Sequence, residues 1–348
     1  MSRSYRFATV ALLVALSLFV TLSFHRHGRP LRGINELERV VTLDSPRPWV
    51  TRVFPTLLVR GLEAATPAVI RDRVTADSNI ALLAARMMRN GDLLRDGLAL
   101  YGIYYFLTGV LFLLVYSLLV ERLARELAML PQQWCVVAAA LSLMTLPPFF
   151  IGSYGYIYDL PQLAFAASLV WLMSRGWNWV YLGVFAVACL NKETTMLFAL
   201  LFAYYNWRKM STAGLAAMTA AQIAIATGVY AALQYKFAAN GGEPIEHYWV
   251  SQFNFLVEPN SWPGLVSVAM MVFLLAIGVR AAHRLLRGVF VMALPLAALF
   301  LYGGWPGEYR VFLEIWPLLI VIWTLAAYRL YWAAGGQLSQ ADATLQGS

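Results

Sequence analysis

Apolar runs, each closed by a polar or aromatic residue, recur from Phe7 almost to the C-terminus. A run long enough to cross ~30 Å of hydrocarbon is expected as a transmembrane helix, because only a helix satisfies its own backbone in lipid. The pattern predicts spans over residues 7–24, 99–120, 134–150, 160–173, 177–190, 194–207, 212–233, 263–279, 288–302 and 311–328. That makes about ten, a polytopic all-α transmembrane bundle. Several are short. A fourteen-residue helix covers about 21 Å against ~30 Å of hydrocarbon, so it must tilt, break or be shielded by its neighbours. The short spans flank Asn191-Lys192-Glu193-Thr194, where an amide, a cation and a carboxylate interrupt an apolar sequence. Ionisable groups at membrane depth are costly, and a chain that keeps them usually uses them.

Residues 25–98 break the pattern and have ordinary polar composition. A short helix is expected over 34–43. Asp44-Ser45-Pro46-Arg47-Pro48 reads as a turn, since its prolines cannot continue a helix. Residues 49–65 are amphipathic, with Pro55 near a helix start. Asp77 or Ser78 is placed to cap a helix running to Arg89, with Asn90-Gly91 ending it. Arg86 and Arg89 flank Met87 and Met88 there, which suits a helix lying on lipid head groups. The whole chain, 1–348, reads as one integral membrane domain, with 25–98 a loop carrying interfacial helices and 329–348 a tail.

Composition agrees: 60% of the residues are hydrophobic and 13% charged, against about 25% charged in soluble domains. The basic run His25-Arg26-His27-Gly28-Arg29 stands where a signal peptide has its small-residue cleavage site, so the first span is expected to stay attached. Cys135 and Cys189 lie in different apolar runs and offer neither a disulfide framework nor a metal pattern. No motif points to nucleic acid, and no metal or cofactor is expected. The net charge of +8 instead reports orientation. Arg3, Arg6, Arg122, Arg125, Arg175, Arg208, Lys209, Arg280, Arg284, Arg287 and Arg329 fall on one face, whereas the short loops of the other carry only Lys192, Lys236 and Arg310. Basic residues favour the cytoplasmic side. The expected location is therefore a bacterial inner membrane, with both termini in the cytoplasm and the loop 25–98 outside.

That orientation gathers the candidate chemistry on the outer face. Asp44, Asp159, Glu193 and Glu308 are carboxylates able to take a proton from a hydroxyl. Arg52, Lys192 and Arg310 are cations suited to a phosphate. Tyr154, Tyr156, Tyr158 and Trp305 could bury the apolar face of a sugar or simply belong to the interfacial belt. Structural readings stand beside each functional one: Asp159 as a helix N-cap, Lys192 and Glu193 as partners of each other, Asp44 as a turn former.

Trp49-x-x-Arg52-Val53-Phe54-Pro55, Asn191-Lys192-Glu193-Thr194 and Gly307-Glu308-x-Arg310 are similar to motifs in bacterial membrane proteins of the GT-C type. The layout of a first span, a long outer loop and uneven later spans resembles that class of integral membrane glycosyltransferases over most of the chain. The resemblance implies a polyprenyl-phosphate-linked sugar donor, transfer on the extracytoplasmic face, and a catalytic carboxylate in the first outer loop, which Asp44 would supply. Glu193 is the competing catalytic residue, since depth would raise its pKa towards proton transfer. Arg52, Asp159, Lys192, Glu308 and Arg310 would bind substrate. The expected partners are the lipid-linked donor and membrane lipids. The alternatives are a transporter or flippase of lipid-linked saccharides, and a non-catalytic subunit of an envelope-polysaccharide assembly.

Cysteine placed at Lys209 should resist an impermeant thiol reagent in intact cells, and cysteine at Gly304 should react. Labelling of the Lys209 position from outside would reverse the orientation.

Overall fold

The structure, a computed structural model, describes residues 3–28, 37–47, 49–88, 93, 98–147, 156–242, 262–303 and 309–334. It is all-α. Helix α1 (Arg3–Ser23) runs on into a single π turn, Phe24–Gly28. The first loop holds α2 (Leu37–Thr42), α3 (Phe54–Ala65), α4 (Ala68–Ala76) and α5 (Ser78–Met88). The bundle continues with α6 (Leu98–Leu127), α7 (Gln132–Met144), α8 (Asp159–Arg175), α9 (Asn178–Cys189), α10 (Phe198–Asn206) and α11 (Thr212–Lys236). It ends with α12 (Trp262–Ala281), α13 (Arg284–Arg287), α14 (Val289–Gly303) and α15 (Trp316–Ala334).

Among the described residues, five helical stretches are long and apolar enough to cross a membrane: Ser4–His27, Leu98–Leu127, Thr212–Lys236, Arg284–Tyr302 and Trp316–Ala333. Exposed Phe7, Phe19, Leu111, Phe273 and Leu294 lie on the outer surface of the bundle. A bundle with a buried core and an apolar outside is the arrangement of a multi-pass membrane protein.

Helix α8 is the axis. From Asp159 to Met173 it is buried on nearly every side, between α6, α9 and α15. Small residues Ala164, Ala166 and Ala167 let those neighbours approach. Gly109 of α6 does the same from the other side, facing Leu160 and Thr21. Gly176 closes α8 in the left-handed conformation, φ 69°, which glycine adopts without cost.

Two expected spans begin differently from the expectation. The one from 194 opens with a 3₁₀ segment, Glu193–Leu197, before α10. The one from 311 opens with another, Tyr309–Glu314, and becomes α-helical only at Trp316. Pro317 explains the second boundary: it lacks an N–H and fits the first turn of a helix. Both breaks fall where charged side chains must find partners.

The first loop docks on the bundle rather than trailing from it. Tyr105 Oη donates to Thr56 Oγ1 at 3.1 Å, and Phe54 N–H donates to Leu190 O at 3.1 Å. The second bond sets the chain after Arg52 against the break that follows α9. The Asp44 turn is clamped from α11's end. Asn240 Nδ2 donates to the carbonyls of Leu43 and Ser45, both at 3.0 Å, and Arg47 N–H donates to Gly241 O at 2.8 Å. Leu43 sits at φ 66°, a costly conformation for a branched residue that persists only where surrounding bonds impose it. In the same loop Asp77 Oδ1 accepts from Asn79 N–H at 2.9 Å, the expected cap of α5.

Gly278 of α12 packs so closely on α15 that a Cβ there would lie 2.4 Å from Ile322 O. Gly278→Leu should therefore lower stability by about 1–3 kcal/mol, the usual cost of overpacking. Gly228→Ala, in open space on α11, should gain ~0.5–1 kcal/mol. Thermal unfolding in one detergent checks both, and equal effects would refute the close packing.

Candidate functional site

The break after α9 has a local cause. Asn191 and Lys192 N–H both turn back to Ala188 O, at 3.0 and 3.1 Å, and Lys192 is extended at φ −159°. Asn191 is fully buried, and its Nδ2 donates to Tyr158 O (3.0 Å) and Gln162 Oε1 (2.9 Å). Gln162 Nε2 in turn donates to Thr195 Oγ1 at 3.4 Å. This amide network locks the break to the start of α8.

Around it three cations meet three carboxylates. Arg52 grips Glu193 with two hydrogen bonds, Nε to Oε2 at 3.0 Å and Nη2 to Oε1. Lys192 Nζ lies 2.9 Å from Glu314 Oε1, which also accepts from Thr194 Oγ1. Arg310 Nη1 lies 3.2 Å from Asp159 Oδ2, which also accepts from Tyr156 N–H at 2.9 Å. The pairs differ in depth. Side chains of Lys192–Glu314 and Arg310–Asp159 are 7%/0% and 8%/0% exposed, but Glu193 is 36% exposed.

Two tyrosines join the Arg52–Glu193 pair to the Arg310–Asp159 pair. Tyr156 and Tyr158 stack in parallel, centroids 5.2 Å apart and 4° from coplanar. The Arg52 guanidinium lies 4.4 Å from the Tyr158 centroid and donates to the Tyr158 hydroxyl, while that of Arg310 lies 3.7 Å from the Tyr156 centroid. Trp49 stacks on Tyr156 at 6.4 Å. Guanidinium planes over aromatic faces are held in orientation as well as by charge.

The sequence-predicted residues therefore separate. Arg52, Asp159, Lys192, Glu193 and Arg310 come together. Asp44 does not join them: it is exposed on its clamped turn, between Leu43 and Ser45, which line a small cavity shared with Arg52, Trp49, Tyr156 and Tyr158. Glu308, Tyr154 and Trp305 lie outside the described residues. Asp159 is the first residue of α8 rather than its N-cap; its carboxylate reaches back to Tyr156 and across to Arg310. Lys192 and Glu193 do not pair with each other, because an extended residue sends neighbouring side chains to opposite sides. Glu314 and Gln162 were missed. The signal for Glu314 was a lone carboxylate at the head of an apolar span.

The pKa of Glu193 also departs from the expectation. Burial pushes it up, but the Arg52 guanidinium, by charge and hydrogen bond, and Lys192 outweigh that and hold it at about 2, below its usual 4.5. A carboxylate so held is a weak base. Burial would lower Arg52, yet Glu193 and Tyr158 keep it well above its ordinary value, firmly charged.

A buried ion pair rarely repays its desolvation in full. Here Glu314 Oε2 and Asp159 Oδ1 have no hydrogen-bond partner among the described residues, so stability alone is a poor reason for the cluster. Buried carboxylate oxygens left without a partner, gathered beside a charge-coupled Arg52–Glu193 pair, call for an explanation beyond packing, and a functional site supplies one. Comparison with protein-family models, curated proteins and solved structures returns no match for this chain.

Glu314→Gln strands Lys192 and should cost about 3–5 kcal/mol. Lys192→Met with Glu314→Leu should recover most of that, since a packed apolar pair replaces the ions. Additive losses in the double variant would refute the pairing. Acid gives a second check. Glu193 is depressed in the folded state, so its contribution is complete above pH ~4.5 and is lost as pH falls towards 2. Unfolding midpoints between pH 6 and 3 should fall less steeply for Glu193→Gln than for the wild-type chain.

Proposed function

We propose that this chain is a GT-C-like integral membrane glycosyltransferase of about ten spans, working on the extracytoplasmic face of a bacterial inner membrane with both termini in the cytoplasm. It moves a sugar from a polyprenyl-phosphate-linked donor to an acceptor hydroxyl. The observation that carries this reading is the convergence of Arg52, from the first loop, with Glu193 and the stacked Tyr156 and Tyr158 at one end of the bundle.

In the reaction the acceptor oxygen attacks the anomeric carbon, and the bond from that carbon to the donor phosphate oxygen breaks. The electron pair leaves on the polyprenyl phosphate, and the acceptor proton passes to a carboxylate. Arg52 holds the departing phosphate. Its carboxylate partner, Glu193, is the most exposed of the three, so a donor phosphate displaces that pair at least cost. The two deeper pairs, Lys192–Glu314 and Arg310–Asp159, then hold the site's walls. Asp44 is the base: its carboxylate is free to solvent on a turn fixed by Asn240, beside the cavity that Arg52 lines. Tyr156, Tyr158 and Trp49 offer a face for the sugar.

Arg52→Ala should weaken donor binding roughly tenfold to a hundredfold, the value of a charge-assisted contact. Glu193→Gln releases Arg52 and should bind donor more tightly. Asp44→Asn should cut turnover about a hundredfold to ten-thousandfold with binding nearly intact. Purified chain, a polyprenyl-phosphate sugar and a chromatographic assay of both lipid products read all three. Wild-type transfer by Asp44→Asn reverses the assignment of the base. A chain that carries lipid-linked saccharide across proteoliposomes without transferring it overturns the enzyme in favour of a transporter.

A further inference from the structure

At the far end of α10 from Glu193 the charges are of one sign. Residues 198–242 and 262–303 contain no Asp or Glu, yet Lys209, His283, Arg284 and Arg287 gather where α10 meets α13. The grouping is built. Lys209 Nζ lies 3.6 Å from the Tyr205 ring centroid, and the His283 ring lies 6.0 Å from that ring. Arg284 Nη2 donates to Tyr204 O at 2.7 Å, and its guanidinium lies 5.3 Å from the Tyr204 ring. His283 Nδ1 accepts from Leu285 N–H at 3.2 Å. A neutral imidazole that accepts at Nδ1 carries its proton on Nε2 and so presents a donor. Lys209, His283 and Arg287 are exposed. Burial, then Lys209, then Arg287 push the His283 pKa down; the patch repels further positive charge. Trp207, 68% exposed, adjoins it, as an interfacial tryptophan does at head-group level.

We propose that Lys209 and His283, both set against Tyr205, and Arg287, whose N–H donates to His283 O one turn back at 3.1 Å, bind the phosphate of an anionic membrane phospholipid. The ligand's source follows from the setting. The patch closes the end of helices whose outer surfaces are apolar, including exposed Phe290 and Leu294 of α14, so acyl chains have a surface to follow while the phosphate meets the cations. Basic pockets between transmembrane helices take lipid head groups by this chemistry. The site is independent of the outer cluster and of any transferase activity.

The test uses the full chain in phosphatidylcholine nanodiscs containing phosphatidylglycerol, with lipids retained after release counted by native mass spectrometry. The wild-type chain should retain phosphatidylglycerol in preference to phosphatidylcholine. Lys209→Gln and Arg287→Gln should each lower that preference about fivefold, and Lys209→Arg should keep most of it. Arg122→Gln, whose cation sits over Trp171 elsewhere, should leave it unchanged. Equal loss in Arg122→Gln would reduce the effect to bulk surface charge and overturn the site. Equal retention of both lipids by the wild-type chain, or displacement of phosphatidylglycerol by millimolar inorganic phosphate, would also overturn it.

Discussion

A charge taken out of water must meet an opposite charge, and in this protein the partners come from distant parts of the chain. Arg52 belongs to the first loop and Glu193 to the break before α10; Arg310 and Glu314 precede the last helix, and their partners are Asp159 and Lys192. The pairing therefore does more than neutralise. It aligns the start of α8 with two interruptions of the helical ladder and brings the first loop down onto them. The 3₁₀ segments at Glu193–Leu197 and Tyr309–Glu314 are the backbone's counterpart of that pairing. A straight α-helix through either would carry its charged residues into the apolar packing or out to lipid.

Depth also divides the cluster. Lys192–Glu314 and Arg310–Asp159 are sealed, with a carboxylate oxygen left over in each, and separating either would strand a charge. Arg52–Glu193 is the half-open pair, facing the loop and the tyrosine stack. An anionic substrate would exchange with the pair that water already reaches. The same geometry makes Glu193 a poor proton acceptor, since the guanidinium that holds it also keeps it ionised well into acid.

The opposite end of α10 obeys different physics. There the cations have no carboxylate in the flanking helices and are held by aromatic faces and a backbone carbonyl instead. Balanced charge at one end leaves each ion with a partner inside the fold. Unbalanced charge at the other suits a permanent neighbour such as a head group.

The hydrophobic pattern alone determined the all-α membrane bundle, because a long apolar run has one stable form in lipid. It also made Asp159, Lys192, Glu193 and Arg310 conspicuous, as ionisable residues at the ends of apolar runs; Arg52 stood out only as a loop cation within Trp49-x-x-Arg52-Val53-Phe54-Pro55. It marked the Asp44 turn through its prolines but not what holds it, which is Asn240, far along the chain at the end of α11. Which cation meets which carboxylate was decided only by the tertiary structure. Neighbours in sequence, Lys192 and Glu193, part to opposite sides of an extended backbone, and Glu314 looked like one more residue of a span until folding set it against Lys192. Periodicity reports which face a residue shares with its own helix; it carries no register between helices, and the pairing of every charge in the cluster depends on that register.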